Sequence, residues 1–139
     1  MQDLFNSINV KRVISPVSVS DNTAQVGQVV DRQGFNSVTY IIATGSLADA
    51  DATFTVLLEE SDASGSGFAA VADADLLGTE ALASFIFSDD DKCFKLGYKG
   101  NKRYTKLTVT PAANASAAVL AAVAVLGHPD RAPTVNPPA

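Results

Sequence analysis

The residues best suited to chemistry in this chain are its carboxylates, one histidine and one cysteine, so the first question is whether their spacing lets them act together. Three acidic groups, Asp49/Asp51, Asp73/Asp75 and Asp89–Asp91, fall in turn-like segments. Oxygen ligands at alternating positions suit calcium, but none of the three has the EF-hand spacing with its glycine and distal glutamate. Aspartate is also a turn residue, because its side chain bonds nearby backbone amides, and these three groups read as structural turns. Glu59 and Glu60 are adjacent in an alternating segment, so they point to opposite faces and cannot share a substrate. Glu60 has the parity of Phe54, Val56 and Leu58 and reads as a sheet-end residue paired with a lysine. His128 precedes Pro129 with no evident orienting partner, a poor mount for a Ser-His-Asp triad. An exposed Cys93 among lysines would be slightly activated, but it reads as a plain structural cysteine. One His and one Cys cannot build the usual four-ligand zinc site. No catalytic residue, metal or cofactor is expected, and the chain is not expected to be an enzyme.

Basic residues are more suggestive. Six of the ten lie between Lys92 and Lys106: Lys92, Lys95, Lys99, Lys102, Arg103 and Lys106. Strand parity puts Lys95 and Lys99 on one face, and a turn at Gly100-Asn101 brings Lys102 and Arg103 near them. Residues 49–91 carry acids and no bases, so the chain is a dipole in sequence and is expected to be one in space. Lysines guarding a sheet edge against aggregation would explain the cluster, and so would electrostatic complementarity with a partner surface.

The elements that must carry these groups are strands. Residues 53–60, 92–99 and 103–111 alternate apolar with polar, the period of a half-buried antiparallel sheet. Further β-branched runs fall at 13–20, 24–31, 37–44, 84–87 and 119–126, with turn residues between them. Eight strands so spaced predict an all-β antiparallel sandwich, jelly-roll-like in outline. The alanine-rich run at 117–125 competes as a helix, but Pro111 and Asn114 before it and Gly127 and Pro129 after it favour a strand. A short helical connector is expected within 73–83, capped by Asp75.

The 139 residues suffice for one domain with its own core. Apolar residues make up 47% and charged residues 18%, with a net charge of −5, which excludes a general nucleic-acid binder. The longest apolar run, at 117–127, is about half the length a membrane helix needs, and no signal-peptide pattern opens the chain. A soluble cytoplasmic product is therefore expected. Residues 1–9 and 128–139 read as terminal arms around a domain at 10–127. The first arm offers Leu4, Phe5 and Ile8 to a partner. The second holds four of the six prolines, Pro137 and Pro138 among them, and cannot join the middle of a sheet.

Six segments carry a family resemblance: DNTAQVGQVVD at 21–31, GFNSVTY at 34–40, ADATFTVLLEES at 50–61, LLGTE at 76–80, GYKGNKRY at 97–104 and VAVLGHP at 123–129. Together they resemble small structural proteins encoded in the head-gene region of tailed bacteriophages and prophages, over roughly residues 10–130. The resemblance implies a capsid decoration, or cement, protein made in the host cytoplasm. Such a protein sits on the outside of the virion shell, with the major capsid protein and neighbouring copies of itself, as a trimer, for partners. Its alternatives are a head–tail joining or tail-associated protein, and a carbohydrate-binding jelly roll on the phage surface. Sugar binding is under-supplied with aromatic platforms, since the chain lacks Trp and only Tyr104 of its three tyrosines looks outward by parity.

Overall fold

The computed structural model describes residues 2–138. Two antiparallel sheets form a β-sandwich. Sheet A runs in the order β1 (Ile8–Val19), β11 (Ala118–Pro129), β4 (Phe35–Leu47), β9 (Cys93–Tyr98), β7 (Leu76–Leu77). Sheet B runs β2 (Gln25–Val26), β10 (Tyr104–Ala112), β5 (Thr53–Ser61), β6 (Ala69–Ala70), with β3 (Val30–Asp31) on β10 and β8 (Phe85–Ile86) on β5.

The core lies where the inward parities of the two sheets meet. Val38, Tyr40, Ile42, Leu96, Leu120 and Leu126 from sheet A face Phe54, Val56, Leu58, Leu107 and Val109 from sheet B. The alternations in β5, β9 and β10 therefore fall on the expected faces. The alanine-rich run is a strand, and its buried positions Ala118, Ala122 and Ala124 are small. Helix propensity loses here because β11 lies between β1 and β4 and gains a ladder on both sides.

Among the described residues, eleven strands replace the eight expected, five of them only two residues long. The segment expected as one strand at 24–31 is two, interrupted at Gly27. There the chain turns in against β10: Gly27 N–H donates to the Leu107 carbonyl at 2.7 Å, and Gln28 N–H crosses to the Val13 carbonyl at 3.0 Å. A Cβ at Gly27 would lie 2.5 Å from the Leu107 oxygen, so the approach requires glycine. The connector also differs. Residues Asp73–Asp75 make a 3-10 turn, and the single helical turn α1 (Glu80–Ala83) is capped by Thr79, whose hydroxyl accepts from Leu82 N–H, not by Asp75.

The two terminal segments meet. A 3-10 turn at Phe5–Ser7 leads directly into β1. Beyond Pro129 the tail folds back: Asp130 N–H donates to Gly34, and Thr134 donates its N–H to the Asn6 carbonyl and its hydroxyl to the Ile8 carbonyl. Met1 and Ala139, the outermost residues of the expected arms, lie outside the described residues.

Candidate partner-binding faces

The acidic groups close loops. Asp49 accepts from the backbone amides of Asp51 and Ala115, and these bonds hold its carboxyl below the usual range. Asp89 accepts from Ile86 N–H and pairs with Lys92, with the same effect, and Asp90 accepts from Leu47 N–H. Among the described residues, no three His, Cys, Asp or Glu side chains gather as metal ligands would. Glu59, not Glu60, takes the lysine: Lys106 lies opposite it across the β5–β10 ladder, at 3.8 Å. Glu60 points between the sheets and accepts from the Tyr98 hydroxyl. Burial, and then that carboxylate, raise the Tyr98 hydroxyl's pKa. His128 does have an orienting partner, the Ser37 hydroxyl 2.9 Å from Nδ1. Cys93 is exposed.

Four of the six basic residues at 92–106 pair with acids in the fold. Lys102 pairs with Asp62 at 2.6 Å, Lys106 with Glu59 and Lys92 with Asp89. Arg103 grips both oxygens of Asp31 at 2.9 and 2.8 Å, reaches Gln33 Oε1, and lies 5.0 Å from the Tyr104 ring centre. The basic run does not form a hairpin, because β9 pairs in sheet A and β10 in sheet B; β10 lies beside β3 and β5, whose ends bring Asp31 and Asp62 to Arg103 and Lys102, so these two do not join a basic patch. Lys95 and Lys99 remain exposed, with no ion pair among the described residues. Tyr40 and Tyr98 are buried. Tyr104, which does face outward, is flanked by Arg103.

The outward faces of the two sheets differ in kind. Sheet B presents Thr53, Thr55 and Thr110 with the Lys106–Glu59 pair, and Phe68 lies beneath the Lys106 ammonium. Sheet A presents aliphatic rows. Cross-strand register aligns Val10, Val125, Thr39 and Gly97, with Leu77 over the last, and then Arg12, Val123, Ile41 and Lys95. Val10, Val119 and Val123 are 42%, 39% and 40% exposed and Leu77 54%, so this face is open to contact. It carries bases at Arg12 and Lys95 and no acid in these rows. Strand alternation requires one buried row; nothing in it requires the other row of β11 to be valine.

Of the terminal residues, Leu4 and Ile8 line a shallow hollow at the end of this face with Val125 and Gly127. Phe5, Ile8 and Pro138 border an adjoining hollow with Val135. Pro137 is exposed. The structure thus unites Leu4, Phe5, Ile8 and Pro138 at one end of β1 and places Lys95 on the same sheet face. The sequence reading missed the aliphatic face itself, although the outward parity of Val119, Val123 and Val125 held the signal.

No protein-family model matches this chain, and no curated protein matches it. Among solved structures it is similar to the CBM22-1 and GH10 modules of endo-1,4-β-D-xylanase 10B from Clostridium thermocellum, determined with xylohexaose, at 11% identity and a TM-score of 0.46. The match covers 95% of this chain and 28% of the other.

Proposed function

We propose that this chain is a capsid decoration, or cement, protein of a tailed bacteriophage, a non-catalytic module that docks on the outside of the assembled shell through the outward face of sheet A. The observation that carries the reading is that aliphatic face, set against a threonine-rich and charged face on sheet B. Strands at about 4.8 Å spacing and about 3.3 Å per residue give sheet A a footprint of roughly 700 Å². One side of a standard protein interface is about 800 Å². Lys95 and Arg12 supply register against an acidic lattice surface, where charge serves specificity more than affinity. The segment resemblance supplies the virion context. Binding the assembled lattice and not its free subunits stabilises the shell by mass action, and many copies acting together make weak contacts sufficient. Assembly as trimers over three-fold junctions belongs to the same proposal.

Copy number in purified particles tests it. A ratio near one per capsid subunit is expected. A few copies per hundred subunits would move the protein to the head–tail joint or the tail, and absence from the particle would overturn the virion reading altogether.

A further inference from the structure

Three segments meet at the end of the sandwich where β3 turns into β4, β9 passes to β10 and β11 runs out. Backbone bonds tie them together: Arg32 N–H donates to the Arg103 carbonyl at 3.1 Å, and Asp130 N–H donates to the Gly34 carbonyl at 2.8 Å. Among them lies a hollow of about 200 Å³, lined by polar side chains from all three segments, with the half-buried Phe35 as an apolar wall.

These polar side chains are held at one end and open at the other. Arg32 donates from Nε to the Lys102 carbonyl, and its two terminal nitrogens have no partner among the described residues. Gln33 gives Oε1 to Arg103, which leaves its amide N–H groups. Asn36 donates to Asp130 Oδ1 at 3.0 Å and to the His128 carbonyl at 3.1 Å, which leaves Asn36 Oδ1 and Asp130 Oδ2 as acceptors. The exposed Asn101 side chain has no partner among the described residues and offers both a donor and an acceptor. Anchoring one end of a group orients the other before a ligand arrives, which lowers the ordering cost of binding. We infer that this hollow is a saccharide site, which takes one neutral, hydroxyl-bearing ring of a glycan.

Charge and hydrogen-bonding capacity select that ligand. Arg103 is already neutralised by Asp31, and Asp130 sets a carboxylate against the charge of Arg32 in the same lining. Arg32 also acts by charge on the Tyr98 hydroxyl, which carries the Glu60 carboxylate. No positive charge is left in surplus, so a phosphate or carboxylate would gain at Arg32 and lose at Asp130. A hydroxyl both donates and accepts. Neighbouring hydroxyls on a ring therefore take N–H groups from Arg32, Gln33 or Asn101 while donating to Asp130 or Asn36. The hollow is smaller than the ~300–1,000 Å³ pockets of drug-sized ligands, which admits one ring. Binding here uses hydrogen bonds and does not need the aromatic platforms that the tyrosines fail to supply. None of these residues lies in the sheet A rows, so the inference does not rest on the virion reading.

The test titrates the isotope-labelled full chain with the methyl glycosides of glucose, galactose and mannose, and separately with inorganic phosphate, following backbone amide shifts by NMR. At least one glycoside is expected to shift the amides of residues 32–36, 99–103 and 130, with a dissociation constant of about 1 mM, and phosphate is expected to leave them in place. Asn101→Ala removes a side chain that the fold does not use and should weaken this binding about fivefold or more. Asp130→Asn turns an acceptor into a donor and should do the same, with unchanged amide spectra elsewhere showing that both variants fold. Phosphate binding these loops more tightly than every glycoside would make the hollow an anion site. Shifts confined to other parts of the chain, undiminished binding by both variants, or no shift with any of the three glycosides would remove the site; each of these results overturns the inference.

Discussion

Tyr40 and Tyr98 join the two sheets through their hydroxyls. Tyr40 is fully buried, and its hydroxyl lies 2.6 Å from Thr105 Oγ1 on the facing sheet, so each satisfies a polar atom that has lost water. Tyr40→Phe should destabilise the fold by about 1–3 kcal/mol, because it strands the threonine hydroxyl. Adding Thr105→Val should recover part of that loss. Urea denaturation of the three variants checks this; a double mutant as unstable as the sum of the singles would deny the coupling. Asp31 offers a pH test. The hydrogen bonds from Arg103, more than any other cause, hold its carboxyl below the ordinary value. A lowered folded pKa means that the unfolded state binds more protons in acid. The stabilisation is therefore present above about pH 4, the unfolded value, and is lost as pH falls through the folded pKa. Because the pair is nearly half exposed, the effect is small. Asp31→Asn should flatten the fall in urea midpoint between about pH 5 and pH 2. Parallel curves for the two proteins would show that the pair contributes nothing.

Among the elements, the break between β2 and β3 is the most constrained. Gly27 lies with its backbone against Leu107 and its α-carbon beside Val13, so an added methyl would come within 2.6 Å of the Val13 side chain as well as the Leu107 oxygen. Gly27→Ala should cost about 1–3 kcal/mol, the range for overpacking a close-fitted interior. The same variant should expose the Gln28 amide, which loses its Val13 partner. Hydrogen exchange at Gln28 together with a urea titration checks both, and unchanged values would mean that the loop shifts freely. The same close approach explains why 24–31 does not read correctly as one strand. The β-branched run of Val26, Val29 and Val30 spans Gly27, and only the position of β10 and β1 around it turns the chain.

For the whole molecule, the deciding feature is the unequal chemistry of its two outward faces. Val123 lies in the middle of the sheet A face, pairs across strands with Arg12 and Ile41, and leaves the core untouched when changed. Val123→Asp should abolish binding to purified capsids with little change in melting temperature. Lys95→Glu with Lys99→Glu should weaken capsid binding more at low salt than at high, since exposed charges are screened within about 10 Å at 0.1 M. Co-sedimentation with capsids at two ionic strengths measures both, and full binding by Val123→Asp would remove this face from the interface.

What the chain determines alone is its local period. Alternation assigns β5, β9 and β10 and their inward faces, and the turn residues bound them, because side-chain direction in a strand depends only on position along it. The acidic loops are legible in part for the same reason, since Asp49 and Asp89 find backbone partners two or three residues away, whereas the bonds of Asp49 to Ala115 and of Asp90 to Leu47 are not. Partners distant in sequence are a different matter. That Lys102 meets Asp62, Arg103 meets Asp31 and Glu60 meets Tyr98 follows from strand order and register, which alternation leaves open. The apparent dipole was a statement about neighbours in sequence, and pairing across the sheets cancelled most of it. The candidate face arises likewise only when β1, β11, β4 and β9 lie side by side. Adjacency in space, not along the chain, brings their aliphatic side chains into one surface.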